Sequence, residues 1–314
     1  MKQFIDLVVC GPDMSGTSTQ IEDIIGFFQS IPKKVRDMRG TEFDALFHAD
    51  QFEQYNKDII SLKNFLNYSN TDYRTKKLLA YQFVNLLSGL DSKQDLKVAS
   101  MVKNDITTYI DPNKADVWIF EEPTKRGAGQ VNRVIEQNRS AFSSDIDHIS
   151  AAYTHQVYRI DEFLRFRQVL RELGKIIIRS RSEESACYQV YDDKNLLNGI
   201  KLDTYLELPG HKIAFTHPPT HLFIVCGPEN WTEKEYLKLK EERSGDRIAD
   251  DYELNAAYQV LVNNRYATDW LEKLYEKGYA LYGGKVPIIK RFNIYDSKEE
   301  IRNQMNQVLL KMVS

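Results

Sequence analysis

The chain has little cysteine, no long apolar run and almost no net charge, and each shortage removes a class of protein. Three cysteines, Cys10, Cys187 and Cys226, form an odd and scattered set. They cannot supply the framework of a disulfide-stapled secreted domain, and no Cys/His cluster has the spacing of a zinc site. The apolar stretch near the start, "FIDLVVC", is far too short to cross a bilayer. No small-residue cleavage site follows it, so it reads as a buried strand rather than a leader. A formal charge of -3 gives no electrostatic reason to expect nucleic acid or an anionic membrane surface as a partner. A reducing, cytoplasmic setting is the expectation.

What remains is ordinary globular composition, with 42% hydrophobic and 28% charged residues over 314 positions. That length suits one elaborated α/β domain or a domain with a large insertion. Short apolar runs at 4–10, 117–120, 175–178, 221–226 and 286–292 read as buried strands. Helical patterns such as "YRIDEFLRFRQVLRELGK" and "SKEEIRNQMNQVLLKMVS" lie between or after them. Alternating strands and helices predict a three-layer α/β/α arrangement with a central parallel sheet. Between about Arg36 and Asp116, roughly 80 residues lack a convincing buried strand, far more than an ordinary connection needs. The spacing in "FEQYNKDIISLKNFLN" and "TKKLLAYQFVNLLSGL" predicts a mostly helical insertion over 36–115, with one strand near 34–38. The main domain then comprises 1–35 and 116–314.

The stretch "GPDMSGTSTQ" follows the first strand and has the Gly-x-x-x-x-Gly spacing of a phosphate-binding loop, from Gly11 to Gly16. Glycines let such a loop curl so that backbone N–H groups point inward, and the next helix adds its positive end. These features depend on backbone. The lysine usual after the second glycine is absent, and Thr17 stands there. Ser18 or Thr19 can still offer a hydroxyl to Mg²⁺.

"GPDMSGTSTQ" resembles the loop of thymidylate kinases, G-x-D-G-x-G-K-[ST]-T-Q, with Asp13, Gly16, Ser18, Thr19 and Gln20 in register. "EEPTKRGAG" resembles that family's R-E-P-[GT] segment through Glu122, Pro123 and Thr124. "HQVYRIDEFLRFRQVLRELGK" resembles the helix opening with A-[DN]-R, placing Arg159 on the arginine. "IIIRSRSEESACYQ" resembles D-R-[YH]-x-x-S-x-x-A-Y-Q with one residue deleted. Arg181, Ser185, Tyr188 and Gln189 match there, while Ser180 replaces the aspartate. "HPPTHLFIV" resembles a strand K-P-D-L-T-[LI]-Y-L. "KEERSGDRIADDYELNAAY" is similar to the lid, R-x-x-x-D-R-[IF]-E, through Arg243, Asp246 and Arg247, with Ala249 in place of the glutamate. The six segments keep the family's order across the chain outside the insertion.

The resemblance implies a P-loop α/β/α fold and transfer of the γ-phosphoryl of ATP to a deoxynucleoside monophosphate, dTMP above others, with Mg²⁺. It assigns the phosphates of ATP to Gly11, Asp13, Met14, Ser15, Gly16, Thr17, Ser18 and Thr19, with the Ser18 hydroxyl on the metal. It assigns the acceptor to Asp13, Glu122, Pro123, Arg159, Ser185, Tyr188 and Gln189, with Asp13 facing the sugar hydroxyl and Arg159 clamping the phosphate. Arg243 and Arg247 of the lid, with Arg181, would neutralise the transferring group. The family usually forms homodimers, so a second copy is the expected protein partner, with no nucleic acid and no membrane.

Thr17 and Ser180 remove two charges of opposite sign. Lys125, Arg126, Arg179 and Arg181 are candidate replacements for the cation, and Glu121, Glu122 and Glu183 for the acid. Two readings stay open on sequence: a divergent nucleoside monophosphate kinase, or a catalytically impaired nucleotide-binding protein acting through a partner.

Overall fold

The computed structural model describes residues 4–39, 112–124, 148–190, 200–244 and 255–313. Most of the expected insertion, residues 40–111, lies outside them. The elements run β1 (Ile5–Cys10), α1 (Thr17–Gln29), β2 (Val35–Asp37), β3 (Val117–Glu121) and α2 (His148–Glu162). A π-helical turn, Phe163–Arg167, joins α2 to α3 (Gln168–Glu172). Then come β4 (Ile176–Ser180), a 3-10 turn at Glu183–Ser185, α4 (Ala186–Gln189), α5 (Leu202–Glu207), α6 (Pro209–Thr216) and β5 (His221–Cys226). The chain closes with α7 (Glu233–Ser244), α8 (Ala256–Ala267), α9 (Trp270–Tyr282), β6 (Ile288–Asn293) and α10 (Lys298–Val313).

Six strands form one sheet in the order β2-β3-β4-β1-β5-β6, and every pairing is parallel. Helices cover both faces, which makes the expected α/β/α sandwich. Because both faces are buried, β1 and β5 are almost continuously apolar instead of alternating. Leu7 and Val9 turn to one face, against Ile21, Ile24 and Phe28 of α1 and Ile301, Met305 and Leu309 of α10. Val8 and Cys10 turn to the other, against Tyr258, Val262 and Tyr266 of α8 and Leu271, Leu274 and Tyr275 of α9. Each such side chain removed from water stabilises the fold by roughly 1.5–3 kcal/mol. The strand expected near 34–38 exists as β2. It joins the sheet edge, so the expected boundary at residue 36 falls inside a strand.

The order positions the site. From β1 the chain leaves for the far edge at β2, walks back through β3 to β4, then steps past β1 to β5 and β6. The connections beside the carboxyl end of β1 therefore diverge to opposite faces, which makes this end the topological switch point of the sheet.

One feature of β1 runs against its apolar reading. Asp6 is fully buried on the α8–α9 face and binds three arginines. Arg179 Nε donates to Oδ1 at 2.9 Å, Arg171 Nη1 donates to Oδ2 at 2.8 Å, and Arg167 Nη2 lies 3.5 Å from Oδ2. Burial pushes the Asp6 carboxyl up, but the three guanidinium groups outweigh it and hold it at about 2. Cys10, Cys187 and Cys226 are buried and unbridged, and burial pushes their thiols up. Among the described residues no helix is long and apolar enough to cross a membrane.

Candidate functional site

β1 ends at Cys10 and the chain turns through Gly11–Gly16 into α1. Gly11 has φ 156°, and a Cβ there would lie 2.2 Å from the Val225 carbonyl oxygen, so only glycine lets β1 close against β5. Gly16, at φ 80°, is the left-handed residue that starts α1. Met14 also has a left-handed φ of 66°, which costs a non-glycine residue about 1–2 kcal/mol. The Ser15 N–H donates to Pro12 O at 3.2 Å and tightens the turn.

The first turn of α1 contains no acid and receives no side-chain cap among the described residues. By contrast, α7 and α10 carry reciprocal capping boxes, Thr232 with Glu235 and Ser297 with Glu300. Ser15 is 2% exposed, and its Oγ has no hydrogen-bond partner among the described residues. That oxygen lies 2.7 Å from where a Gly11 Cβ would sit, so it faces the hollow of the turn. Thr17 and Thr19 are half-buried and Ser18 is exposed.

The loop acid is held from two sides. Gln259 of α8 accepts from the Asp13 N–H at 3.2 Å and donates its amide to Asp13 Oδ2 at 2.7 Å. Arg181 Nη2 donates to Asp13 Oδ1 at 2.7 Å. Arg181 leaves β4 with a left-handed φ of 66°, and its guanidinium lies 5.0 Å from the centre of the Tyr188 ring. The Tyr188 hydroxyl donates to Gly11 O at 3.3 Å. Asp13, Arg181, Tyr188 and the glycine turn therefore meet at one place.

A second knot lies beside it. Arg159 is 4% exposed and donates through Nε to Glu122 Oε1 at 2.7 Å. Its Nη2 binds Glu122, Ser182 O at 3.2 Å and Ser185 Oγ at 2.7 Å, and Nη1 binds His211 Nε2. His211 Nδ1 meets Tyr205 O at 2.5 Å, which leaves Nε2 as the acceptor for Arg159. Burial, and then the Arg159 charge, hold this imidazole neutral. Burial pushes Glu122 up, but Arg159 outweighs it and lowers its carboxyl. The structure brings Glu122, Arg159 and Ser185 together, with all three guanidinium nitrogens engaged inside the protein. The Glu122–Pro123 peptide is cis. Gln189 is 6% exposed, and its Oε1 has no partner among the described residues.

The remaining candidates separate. Arg243 Nη1 donates to Met14 O and Nη2 to Ile294 O, both at 2.8 Å, so it grips the outer side of the loop. Arg247, Lys125 and Arg126 lie outside the described residues. Arg179 is committed to Asp6, which leaves Arg181, bound to the Asp13 carboxylate, and Arg243, bound to the Met14 carbonyl, as described cations that meet the loop. Among the candidate acids, Glu183 is turned into the α8–α9 face, where Tyr275 donates to its Oε1 at 3.0 Å. Glu121 is half-buried at the end of β3. Among the described residues no group of three or more His, Cys, Asp or Glu side chains is placed to hold a metal.

Sequence reasoning missed four residues. Gln259 and Asn263 are fully buried amides on the inner face of α8. Asn263 Oδ1 accepts from the Gly227 N–H at 2.7 Å, and its Nδ2 donates to Pro228 O at 3.0 Å. Their i, i+4 spacing beside Tyr258, Val262 and Tyr266 was the available signal. His211 had none. Glu184, beside the matched Ser185, is fully buried with neither carboxyl oxygen hydrogen-bonded among the described residues.

No protein-family model matches the chain, and neither does any curated protein, so the site is read on its own geometry.

Proposed function

We propose that the protein is a nucleotide-binding phosphotransferase of the thymidylate kinase type, moving the γ-phosphoryl of ATP onto a deoxynucleoside monophosphate, with dTMP the first acceptor to test. The observation that carries this reading is the Gly11–Gly16 turn. A helix N-terminus and the buried Ser15 hydroxyl, both without a side-chain partner among the described residues, converge at the carboxyl end of the central strand. Backbone amides and a helix dipole bind phosphate without a lysine. Phosphoryl transfer needs positioning and charge neutralisation more than covalent help.

Mg²⁺ fits the oxygen donors present. It keeps most of its waters and needs one or two protein oxygens beside substrate phosphates. Ser18, exposed in the first turn of α1, supplies such a hydroxyl, and the ion would neutralise the transferring charge. Arg181 stands closest to the role left open by Thr17, because its guanidinium already reaches the loop at Asp13. A nucleotide would draw that cation toward its phosphates.

The alternative, an impaired nucleotide binder acting through a partner, is favoured by one observation. The expected phosphate clamp, Arg159, is enclosed by Glu122, Ser182, Ser185 and His211. A coupled ADP-release assay with ATP, Mg²⁺ and a panel of nucleoside monophosphates separates the two. Acceptor-dependent ADP release, greatest with dTMP, is expected. Nucleotide binding with no acceptor-dependent release would move the protein to the alternative.

A further inference from the structure

We infer that Gln259 is the positioning residue of the loop, fixing the place of Asp13 from α8, at a position no motif match assigns. The role of this residue in turnover rests on the phosphotransferase reading.

The Gln259 carboxamide meets both the backbone N–H and the carboxylate of Asp13, so it fixes the residue in translation and rotation together. One turn later, Asn263 makes the same kind of two-point contact with Gly227 and Pro228 at the end of β5. α8 also holds α4, with the Tyr258 hydroxyl donating to Tyr188 O at 2.7 Å and Arg265 Nη1 donating to Cys187 O at 2.9 Å. One helix thus fastens the ends of β1 and β5 and the residue whose hydroxyl meets Gly11.

Fully buried amides are costly unless every contact is made. Leucine at position 259 would fill similar space without either hydrogen bond. What the amide provides is a fixed acid in a loop that already carries a left-handed Met14. Gln259 bonds Asp13 at two atoms, so it acts through Asp13, whose carboxylate is shared between Gln259 on Oδ2 and Arg181 on Oδ1.

The test is hydrogen exchange of the full chain, reading the peptide that contains Asp13, in wild type, Gln259→Leu and Gln259→Glu. Gln259→Leu should strip protection from that peptide and leave the core strands unchanged. Gln259→Glu places a second carboxyl against Asp13 Oδ2, so the contact holds only while a proton lies between the two. Near about pH 5.5 the introduced group is protonated and donates as the amide does, so protection should match wild type. Near about pH 8 the two like charges repel and the protection should disappear. Asn263→Leu is the local control, exposing the peptide around Gly227 while leaving Asp13 protected.

Turnover in Gln259→Leu should fall on the order of 10–100-fold, mainly in kcat, as misplaced groups do. Unchanged protection at Asp13 in Gln259→Leu, or an exchange pattern in Gln259→Glu that does not depend on pH, overturns the assignment. Should Gln259→Leu not fold, the two pH values of Gln259→Glu decide alone. If the exchange pattern holds while the wild type transfers no phosphoryl group, the positioning role stands and the phosphotransferase reading falls.

Discussion

At the scale of single residues, two positions carry charge questions with opposite answers. Thr17 lacks the ammonium expected on the phosphates, yet Arg181 already reaches the same turn. Thr17→Lys should therefore leave turnover flat or lower it, because the new cation meets a like charge in a confined site. A rise of about tenfold, roughly 1.4 kcal/mol in the barrier, would show that no other cation does the work. Glu184 has the reverse problem. Burial, followed by the charges of Glu122 and Glu183, pushes its carboxyl from 4.5 up to about 8, against Arg181 and Arg179. The folded protein then keeps a proton that the unfolded chain releases. Stability from that proton is complete below about pH 4.5 and is lost as pH rises toward about 8, by up to roughly 4 kcal/mol. Glu184→Gln should flatten the fall in thermal stability between those values and raise stability at pH 8. An unchanged slope would mean that this carboxyl is ionised and satisfied. Glu184 was not legible beforehand, since nothing in the local sequence says which side of a turn it faces, and Gln259 offered only its helical spacing beside Tyr258, Val262 and Tyr266. Asp13, Tyr188 and Arg181 were legible because a motif fixes relative positions through the backbone.

Elements were read more surely than side chains. The run 221–226 became β5 without change, and 286–292 became β6 displaced by two residues at its start. Parallel strands buried on both faces leave an unmistakable apolar run, whereas their ends depend on loops the pattern does not encode. The same pattern hid Asp6, a charge inside an apolar strand, because its three partners come from β4 and from the helical stretch after α2. Removing that charge should cost heavily. Asp6→Asn leaves Arg167, Arg171 and Arg179 without their shared anion and should lower stability by about 3–5 kcal/mol at neutral pH. In the wild type, the stability Asp6 contributes is present above its unfolded value of 3.8 and is lost as pH falls toward about 2, about 2 kcal/mol in all. Denaturant titrations at pH 7 and pH 2.5 check both. The junction of β3 with α2 behaves alike. Arg159→Ala strands a buried Glu122 carboxylate and should destabilise by about 3 kcal/mol, a loss to measure before any change in acceptor binding is read as a contact.

At the scale of the whole molecule, the strand order does what no residue could. By sending α1 to one face and α8 and α9 to the other, it places the topological switch point of the sheet at the carboxyl end of β1. The loop, Arg181, Tyr188 and α8 all border that end, so the molecule holds one concentrated polar cluster there. A second lies below it around Asp6, where arginines are spent on holding the sheet to its helices. In either proposed reading the phosphates would bind at this end of the sheet.

Calorimetric titration of Mg-ATP into wild type and Thr17→Asp tests that claim most directly. Position 17 opens α1, where an acid suits the helix dipole, so the variant should fold with equal or higher thermal stability. The same carboxylate would stand where the phosphates bind and repel them. Saturable one-to-one binding in the wild type, lost in the variant without loss of fold, is the result this account predicts. Equal Mg-ATP affinity in the two proteins would contradict it.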